Sequence, residues 1–396
     1  MQLRTLSSKQ KLKGVPVLVR VDWNVPEASV YSLEGSLKLE RSVAGIKDLV
    51  KRGAIVILLT HFGRPKKKDR LHSTKFLPKI MKRYGLNIVF HPESVSKQDE
   101  LKKLSSTLKQ ADPGSIHLLE NVRFEKGEEE NAASLTKAWA SLADLFINDA
   151  FASCHRAHAS VVGLAKILPS YAGPSLMEEV EQLERLLERP SSQFIAVIGG
   201  KKLTTKLPVI KELIKKCDQV LIGGAMATPF LAAKNLEVGK SYLESGSVNE
   251  AKKLAKIKNI LLPKDVIVTE KLEQNPRLTR TKVDTIGKKQ IIVDVGPQTL
   301  AEWSALIARA KTILWNGPLG WSEASVCEAG SRFIARIIAT RSKGKAFGVV
   351  GGGDTLPVLA GVSAAKWIDF VSTGGGAMLE FIAAKGNLPG LKTLRR

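Results

Sequence analysis

Short, uninterrupted apolar runs are the feature of this sequence that most limits its fold. They open the segments 17–22, 54–65, 87–93, 116–124 and 145–151, and then 194–202, 219–227, 259–268, 312–320, 347–355 and 369–376. Runs of this kind are typical of strands buried on both faces of a parallel sheet. Stretches with helical spacing separate most of them, as at 43–51 and 250–258. The alternation predicts an α/β fold with right-handed crossovers.

One amphipathic segment, 175–189, divides these runs into two sets, and Pro190 follows it. Its apolar residues recur at helical spacing, and a proline ends such a pattern. We therefore predict two Rossmann-like lobes, each a parallel sheet flanked by helices, joined by a hinge helix. The predicted bounds are 1–173 for the first lobe, 174–190 for the hinge helix and 191–379 for the second lobe, with 380–396 packing back on the first.

Polar residues follow the predicted strands of the first lobe. They are Asp22, Asn24, His61, Arg64, Asn121, Arg123, His155, Arg156 and His158. Ligands of parallel sheets bind at the carboxyl ends of strands, and guanidinium groups and imidazoles there suit a phosphate or carboxylate. The pattern predicts an anion site. His72, His91, His117 and the run Lys66–Lys68 lack such neighbours, and we interpret them as ordinary solvated side chains.

The second lobe instead carries glycine-rich turns. They are Gly199-Gly200, Gly223-Gly224, Gly317, Gly351–Gly353 and Gly374–Gly376. Glycine allows backbone N–H groups to approach a phosphate closely. With Lys202, Lys206 and Asp354-Thr355 alongside, these turns predict a triphosphate site with a divalent metal. Neither a Walker A loop nor a GxGxxG fingerprint is present, since Lys234 stands where the Walker pattern before Gly239-Lys240-Ser241 needs glycine.

An anion site on one lobe and a nucleotide site on the other together predict phosphoryl transfer. Closure of the lobes would exclude the water that otherwise hydrolyses a reactive phosphate.

The cysteine content and the apolar segments of the chain indicate its cellular location. The three cysteines, Cys154, Cys217 and Cys327, are widely spaced and predict neither a disulfide framework nor a zinc site. The N-terminus lacks the apolar segment of a signal peptide, and the longest uncharged stretch, 219–233, is too short and glycine-broken to span a bilayer. We expect a soluble cytoplasmic protein.

The net charge of +23 is spread along the chain, which favours anionic substrates over a dedicated nucleic-acid arm.

Ten motifs, in order, resemble the phosphoglycerate kinase family over nearly the whole chain. They are VRVDWNVP (19–26), THFGRP (60–65), LLENVRFEKGEEEN (118–131), NDAFASCHRAHAS (148–160), GGKKLTTK (199–206), IGGAMATPFL (222–231), DVGPQT (294–299), WNGPLG (315–320), GGGDT (351–355) and STGGGAMLEF (372–381). The resemblance implies the reaction 1,3-bisphosphoglycerate + ADP = 3-phosphoglycerate + ATP, with Mg²⁺, in a hinge-bending monomer.

The same resemblance implies residue roles. It assigns phosphoglycerate binding to Asp22, Asn24, Lys38, His61, Arg64, Arg123 and Arg156. It assigns nucleotide binding to Gly200, Lys202, Lys206, Gly223, Gly224, Asn316, Pro318, Glu323, Gly352, Gly353, Asp354 and Thr355, with Asp354 on the metal. Lys202, Lys38, Gly353 and Gly376 would surround the transferred phosphoryl group. A carboxylate acceptor is already ionised at pH 7, so the reaction needs positioning and positive charge rather than a general base.

The chain departs from the family pattern at several of these places. Lys38 replaces an arginine that contacts the carboxylate and the moving phosphate, and Arg41 lies about one helical turn further on. A lysine keeps the charge but loses the bidentate fork. Lys201, Thr205, Ala225, Ile292 and Phe370 are further departures.

Two alternatives remain open at this stage. A catalytically silent homologue would keep the fold, although retained Lys202, Lys206, Glu323 and Asp354 favour an enzyme. A basic nucleic-acid-binding protein would need exposed aromatics within a basic patch, and aromatic residues make up only 6% of the chain.

Overall fold

The computed structural model describes residues 1–188 and 193–396. These residues form two compact units: the first contains 1–184 and 384–396, and the second contains 185–383. The predicted end of the hinge helix, at Arg189 and Pro190, lies outside the described residues.

A six-stranded sheet organises the first unit. Its elements are β1 Pro16–Val21, α1 Leu33–Lys51, β2 Ile55–Leu59, α2 Leu77–Met81, β3 Ile88–His91, α3 Gln98–Lys109, β4 Ile116–Leu119, α4 Ala133–Ala140, β5 Leu145–Asp149, α5 Leu164–Ile167 and β6 Ser170–Ala172, followed by α6 Pro174–Glu188. The strand order is β3-β4-β2-β1-β5-β6, and every pairing is parallel. The central strands β2, β4 and β5 are buried along their whole length, as continuous apolar runs require.

Local signals set the ends of α1, the helix that carries Lys38 and Arg41. Ser32 caps α1, because its Oγ accepts a hydrogen bond from the N–H of Gly35. Gly53, at a φ of 78°, follows the last turn and redirects the chain into β2. Leu39, Ile46 and Leu49 form the buried side of α1. The opposite side is therefore free to carry polar residues.

The C-terminal residues belong to the first unit. The N–H of Arg4 donates to the carbonyl of Leu394 at 2.8 Å, and Leu3 forms an antiparallel bridge with Arg395. A short helix, Pro389–Lys392, lies in this segment, and the N–H of Gly390 donates to the carbonyl of Cys154 at 2.9 Å.

The second unit contains a second six-stranded parallel sheet. Its elements are β7 Phe194–Ile198, α7 Leu203–Lys216, β8 Gln219–Ile222, α8 Thr228–Ala233, α9 Ser247–Leu254, β9 Ile260–Leu261, β10 Asp265–Thr269, β11 Thr279–Lys282, β12 Ile291–Val295, α10 Pro297–Arg309, β13 Thr312–Asn316, α11 Ala329–Arg341, β14 Phe347–Gly351, α12 Leu356–Gly361, β15 Phe370–Ser372 and α13 Gly376–Ala383. The parallel sheet has the order β15-β14-β13-β7-β8-β9. The two-lobe α/β prediction is confirmed.

A third sheet corrects the sequence interpretation. The run at 259–268 is not one strand: β9 joins the parallel sheet, whereas β10 pairs antiparallel with both β11 and β12. Pro263 separates the two strands, and proline has no N–H to donate to a sheet ladder. Apolar runs do not predict this antiparallel sheet, because its strand β11, Thr-Arg-Thr-Lys, is exposed and lacks such a run.

Cys154, Cys217 and Cys327 are buried free thiols. In the described part of the chain, no helix combines the length and the apolar character needed to cross a bilayer.

Candidate functional site

A buried arginine organises the polar end of β1. Arg20 is only 1% exposed. Its Nε donates to Ser160 Oγ at 3.0 Å, its Nη1 to the carbonyl of Val21 at 2.5 Å, and its Nη2 lies 3.0 Å from His61 Nδ1. Glu128, itself buried, accepts from Ser160 Oγ at 2.5 Å and supplies the compensating charge. Sequence reasoning missed Arg20, although a charged residue inside an apolar run was a usable signal.

This contact determines the state of His61. Arginine can only donate, so Nδ1 of His61 accepts and its proton resides on Nε2. Burial, with the nearby charges of Arg20, Arg123 and Lys38, holds the pKa of His61 well below its ordinary value. His61 is therefore a neutral ring that presents an N–H donor.

Hydrogen bonds hold the loop after β2 in one shape. Asn24 Oδ1 accepts from the N–H of Gly63 at 2.9 Å, and Asn121 Oδ1 accepts from the N–H of Phe62 at 3.1 Å. Arg123 Nη1 donates to the carbonyl of Gly63. Asn24, which follows β1, and Asn121 and Arg123, which both follow β4, thus meet at the loop after β2.

Cationic groups crowd this end of the first unit. Burial lowers the pKa of Arg123, and Arg156, Arg20 and Arg64 lower it further, against the opposing charge of Glu129. Arg64 is exposed, and Arg156 donates from Nε to His155 at 3.1 Å. Like charges at short range cost free energy unless an anion joins them, so the cluster favours an anionic ligand.

The charge of Lys38 interacts with the carboxylates of Asp22 and Glu34. Lys38 Nζ contacts Glu34 Oε1 at 2.6 Å, one turn earlier in α1. Burial opposes the charge of Lys38, but Asp22 and Glu34 raise its pKa above the ordinary value. Asp22 Oδ2 is buried and has no hydrogen-bond partner among the described residues.

Arg41 forms an ion pair with a carboxylate of α6. Its Nη1 contacts Oε1 of Glu179, a buried residue of α6, at 2.8 Å. Arg41 is therefore engaged as a counter-ion rather than free to take the place of the missing arginine at position 38.

The interpretation of His91 and His117 as solvated side chains is wrong. His91 and His117 are buried, not solvated, and His91 Nε2 lies 2.9 Å from His117 Nδ1. Burial and the neighbouring His91 lower the pKa of His117 to about 4. Their place in β3 and β4 rather than in loops explains the difference.

The glycine turns of the second unit border a cavity of about 330 Å³. Nine predicted residues line it: Gly200, Lys202, Lys206, Asn316, Gly352, Gly353, Asp354, Thr355 and Gly376. Lys201, Thr205, Gly317, Gly375 and Leu379 also line it. Glycine-rich backbone and three lysines around a space of this size suit a chain of phosphates.

A second cavity, of about 460 Å³, lies beside the first. Predicted residues Gly200, Gly224, Pro318, Glu323 and Asp354 line it, together with the departures Ala225 and Ile292. Sequence reasoning missed Lys240, Tyr242, Leu272 and Trp321. The two cavities share Gly200, Lys201 and Asp354, so they adjoin one another. The first cavity is polar and the second has apolar and aromatic walls, and this combination suits the phosphates and the base of a nucleotide.

Gly223 lines neither of these cavities. A Cβ at this position would come within 2.5 Å of Leu319 Cδ2, so glycine here permits close packing.

Lys206 is already bonded within the protein. Its Nζ contacts the carbonyl of Gly199 at 2.7 Å, the carbonyl of Asn316 at 3.2 Å and Asn316 Oδ1 at 2.7 Å. These contacts use the three donors of an ammonium group. Burial lowers the pKa of Lys206 to about 8, and Asp354 opposes that shift. Lys206 therefore connects the turns at Gly199 and Asn316 by hydrogen bonds and adds its positive charge to the cavity.

Gly317 is fixed from both sides. Its N–H donates to Thr355 Oγ1 at 2.7 Å, and its carbonyl accepts from Trp315 Nε1 at 2.9 Å. Its φ of 93° is accessible mainly to glycine.

The residues present fit a magnesium ion carried by a nucleotide. No group of three or more His, Cys, Asp or Glu side chains suited to a metal occurs in the described ranges. Asp354 is exposed and borders both cavities. Mg²⁺ commonly binds through one or two carboxylates plus substrate phosphates, so a lone carboxylate beside a phosphate cavity is sufficient.

Comparison with known proteins gives a consistent result. A family model described as phosphoglycerate kinase matches residues 7–385. A phosphoglycerate kinase of Xanthobacter flavus is 38% identical over 400 residues, covering 99% of both chains. One of Pseudothermotoga lettingae is 39% identical over 391 residues, covering 97% of this chain and 96% of the relative.

Two solved structures resemble the whole chain. The phosphoglycerate kinase of Coxiella burnetii has a TM-score of 0.82 and 35% identity, covering 98% of this chain and 97% of that one. The enzyme of Pyrococcus horikoshii has a TM-score of 0.83 and 26% identity, covering 98% of both.

Proposed function

Because the chain belongs to the phosphoglycerate kinase family, we propose that the polar strand ends of its first unit bind phosphoglycerate and that the two adjoining cavities of its second unit bind the nucleotide. The chain is a glycolytic phosphotransferase whose substrates are ATP or ADP and the phosphoglycerates. The observation that carries the site assignment is the pair of adjoining cavities that share Gly200, Lys201 and Asp354.

In the first unit, Arg64, Arg123 and Arg156 supply fixed positive charge for a phosphate group. His61 donates from Nε2, and Asn24 keeps the loop at Gly63 in place. Asp22, whose Oδ2 is buried and lacks a hydrogen-bond partner among the described residues, accepts from a substrate hydroxyl. Guanidinium groups and a neutral imidazole can bind such an anion without any proton transfer.

In the second unit, the chemical step needs charge near the moving phosphoryl group. Lys202 is exposed at the start of α7 and borders the phosphate cavity, as do Gly353 and Gly376. Lys202 and the backbone N–H groups of both glycines stabilise the equatorial oxygens, and Lys38 offers a further cation. The acceptor is a carboxylate, so no base is required.

Asp354 would hold the Mg²⁺ that accompanies the nucleotide, and the ion would neutralise charge on the phosphates. Lobe closure, a monomeric state, a cytoplasmic location and the absence of a dedicated nucleic-acid site stay predictions.

Turnover of 3-phosphoglycerate with ATP and Mg²⁺, coupled to NADH oxidation by glyceraldehyde-3-phosphate dehydrogenase, tests the activity. Lys202→Ala tests the assignment of the chemical step. We expect kcat to fall by about 10²–10³, with KM little changed, because the lost interaction forms mainly in the transition state. Lys211→Ala is the matched control, since Lys211 lies on the same helix and pairs with Glu250 at 3.4 Å, away from the cavity residues.

An unchanged kcat in Lys202→Ala would remove Lys202 from the mechanism. A folded wild-type protein that binds both substrates without turnover would instead identify a silent homologue. Lys38→Arg would then show whether the missing guanidinium is the cause.

A further inference from the structure

The helix that carries Lys38 also carries its partner. Lys38 Nζ lies 2.6 Å from Glu34 Oε1, and the two residues are four apart in α1. The side chain of Lys38 is 12% exposed and that of Glu34 is 34% exposed, so solvent screens this ion pair only in part. The family resemblance does not assign Glu34 a role.

Lys38 is surrounded by more negative than positive charge. Asp22 and Glu34 both act on its ammonium, and together they outnumber it by one charge. The charges that act on Arg123 are those of Glu129 and of the arginines Arg156, Arg20 and Arg64. An incoming anion therefore meets a lysine whose charge is already neutralised on its own helix.

We propose that Glu34 is a positioning residue that competes with the anionic substrate for Lys38 and thereby sets the affinity for phosphoglycerate. The proposal rests on the assignment of Lys38 to the substrate site. Substrate binding exchanges the Glu34 carboxylate for the carboxylate or phosphate of the ligand at the ammonium group.

The chemistry of lysine makes this competition consequential. A guanidinium has five donors in a planar fork and can bond one carboxylate while presenting a second edge. An ammonium is a compact point charge, which moves as a whole toward whichever anion holds it. When only a fraction of the protein has Lys38 released, the apparent dissociation constant rises by the inverse of that fraction.

Direct binding measurements test the proposal without relying on turnover. Isothermal titration calorimetry would measure the dissociation constant of 3-phosphoglycerate for wild type, Glu34→Gln and Glu34→Ala. Glu40→Gln is the matched control, because Glu40 lies on the same helix and accepts a hydrogen bond from Tyr84 at 3.3 Å. The same Glu34→Gln change in a Lys38→Met background separates competition for Lys38 from a general loss of negative charge.

We expect Glu34→Gln and Glu34→Ala to bind 3-phosphoglycerate about two- to tenfold more tightly, the range given by a surface ion pair and a typical net hydrogen bond. The gain should disappear in the Lys38→Met background, and Glu40→Gln should match wild type. Unchanged or weaker binding by the Glu34 variants would overturn the proposal. An equal gain in the Lys38→Met background would overturn it as well. Absence of wild-type turnover would bear on the enzymatic activity alone.

Discussion

The bond between Thr355 and Gly317 offers a sharp test of how the nucleotide site is held. Thr355 has no exposed surface, and its Oγ1 accepts the N–H of Gly317 at 2.7 Å. Replacing threonine by valine keeps the volume close to the original but removes the acceptor. Gly317, at a φ of 93°, cannot easily turn its N–H toward another partner while Trp315 holds its carbonyl.

The cost follows from leaving a buried N–H unsatisfied, which is about 1–3 kcal/mol. For a unit of roughly this size, each kcal/mol corresponds to about 2–4 °C in the unfolding midpoint. Thr355→Val should therefore lower the midpoint of the second unit by roughly 2–12 °C. ADP affinity should fall too, because Gly317 lines the phosphate cavity.

Thermal unfolding followed by tryptophan fluorescence is the appropriate assay, since Trp315 is buried and bonded to Gly317. Thr355→Ser is the matched control: it retains the hydroxyl and loses only a methyl group. We expect it to remain much closer to wild type than Thr355→Val.

Equal midpoints for wild type and Thr355→Val would refute the reasoning, because the hydrogen bond would then contribute nothing measurable. If Thr355→Ser lost as much stability as Thr355→Val, the methyl group rather than the hydroxyl would be responsible.

Two further predictions concern the first unit. The pKa of His117 is about 4 when folded, against an ordinary value near 6.5, so the unfolded chain binds more protons between these values. The free energy of unfolding should therefore fall, by on the order of 1 kcal/mol, as the pH is lowered from about 6.5 toward 5. The urea midpoint of His117→Gln should vary less over this range than that of wild type. Equal pH dependence of the two midpoints would contradict this prediction. Arg41→Met removes the guanidinium that pairs with buried Glu179, and it should lower the free energy of unfolding in urea by about 1.5–3 kcal/mol. Arg41→Lys should recover part of that loss. An unchanged urea midpoint in Arg41→Met would show that the ion pair does not stabilise the protein.

Much of the fold was readable from local patterns. A strand buried on both faces must be apolar at nearly every position, so the runs that became β2, β5 and β13 stand out in the sequence. The exposed strand β11 carries no such constraint, and its pairing with β10 arises only from the folded chain. Local composition therefore predicted the two parallel sheets and missed the antiparallel one.

For the candidate site, the sequence by itself determined which chemical groups are available. Glycine turns, Lys202 and Asp354 follow predicted strands, and the carboxyl ends of parallel strands lie on one edge of a sheet, so their convergence could be anticipated. Only the tertiary structure decided how each group is used. Arg20 reaches Ser160, 140 residues away, and Arg41 reaches Glu179, 138 residues away. Partners so distant along the chain are chosen by the packing of whole elements, because a donor bonds whichever acceptor the fold brings within reach.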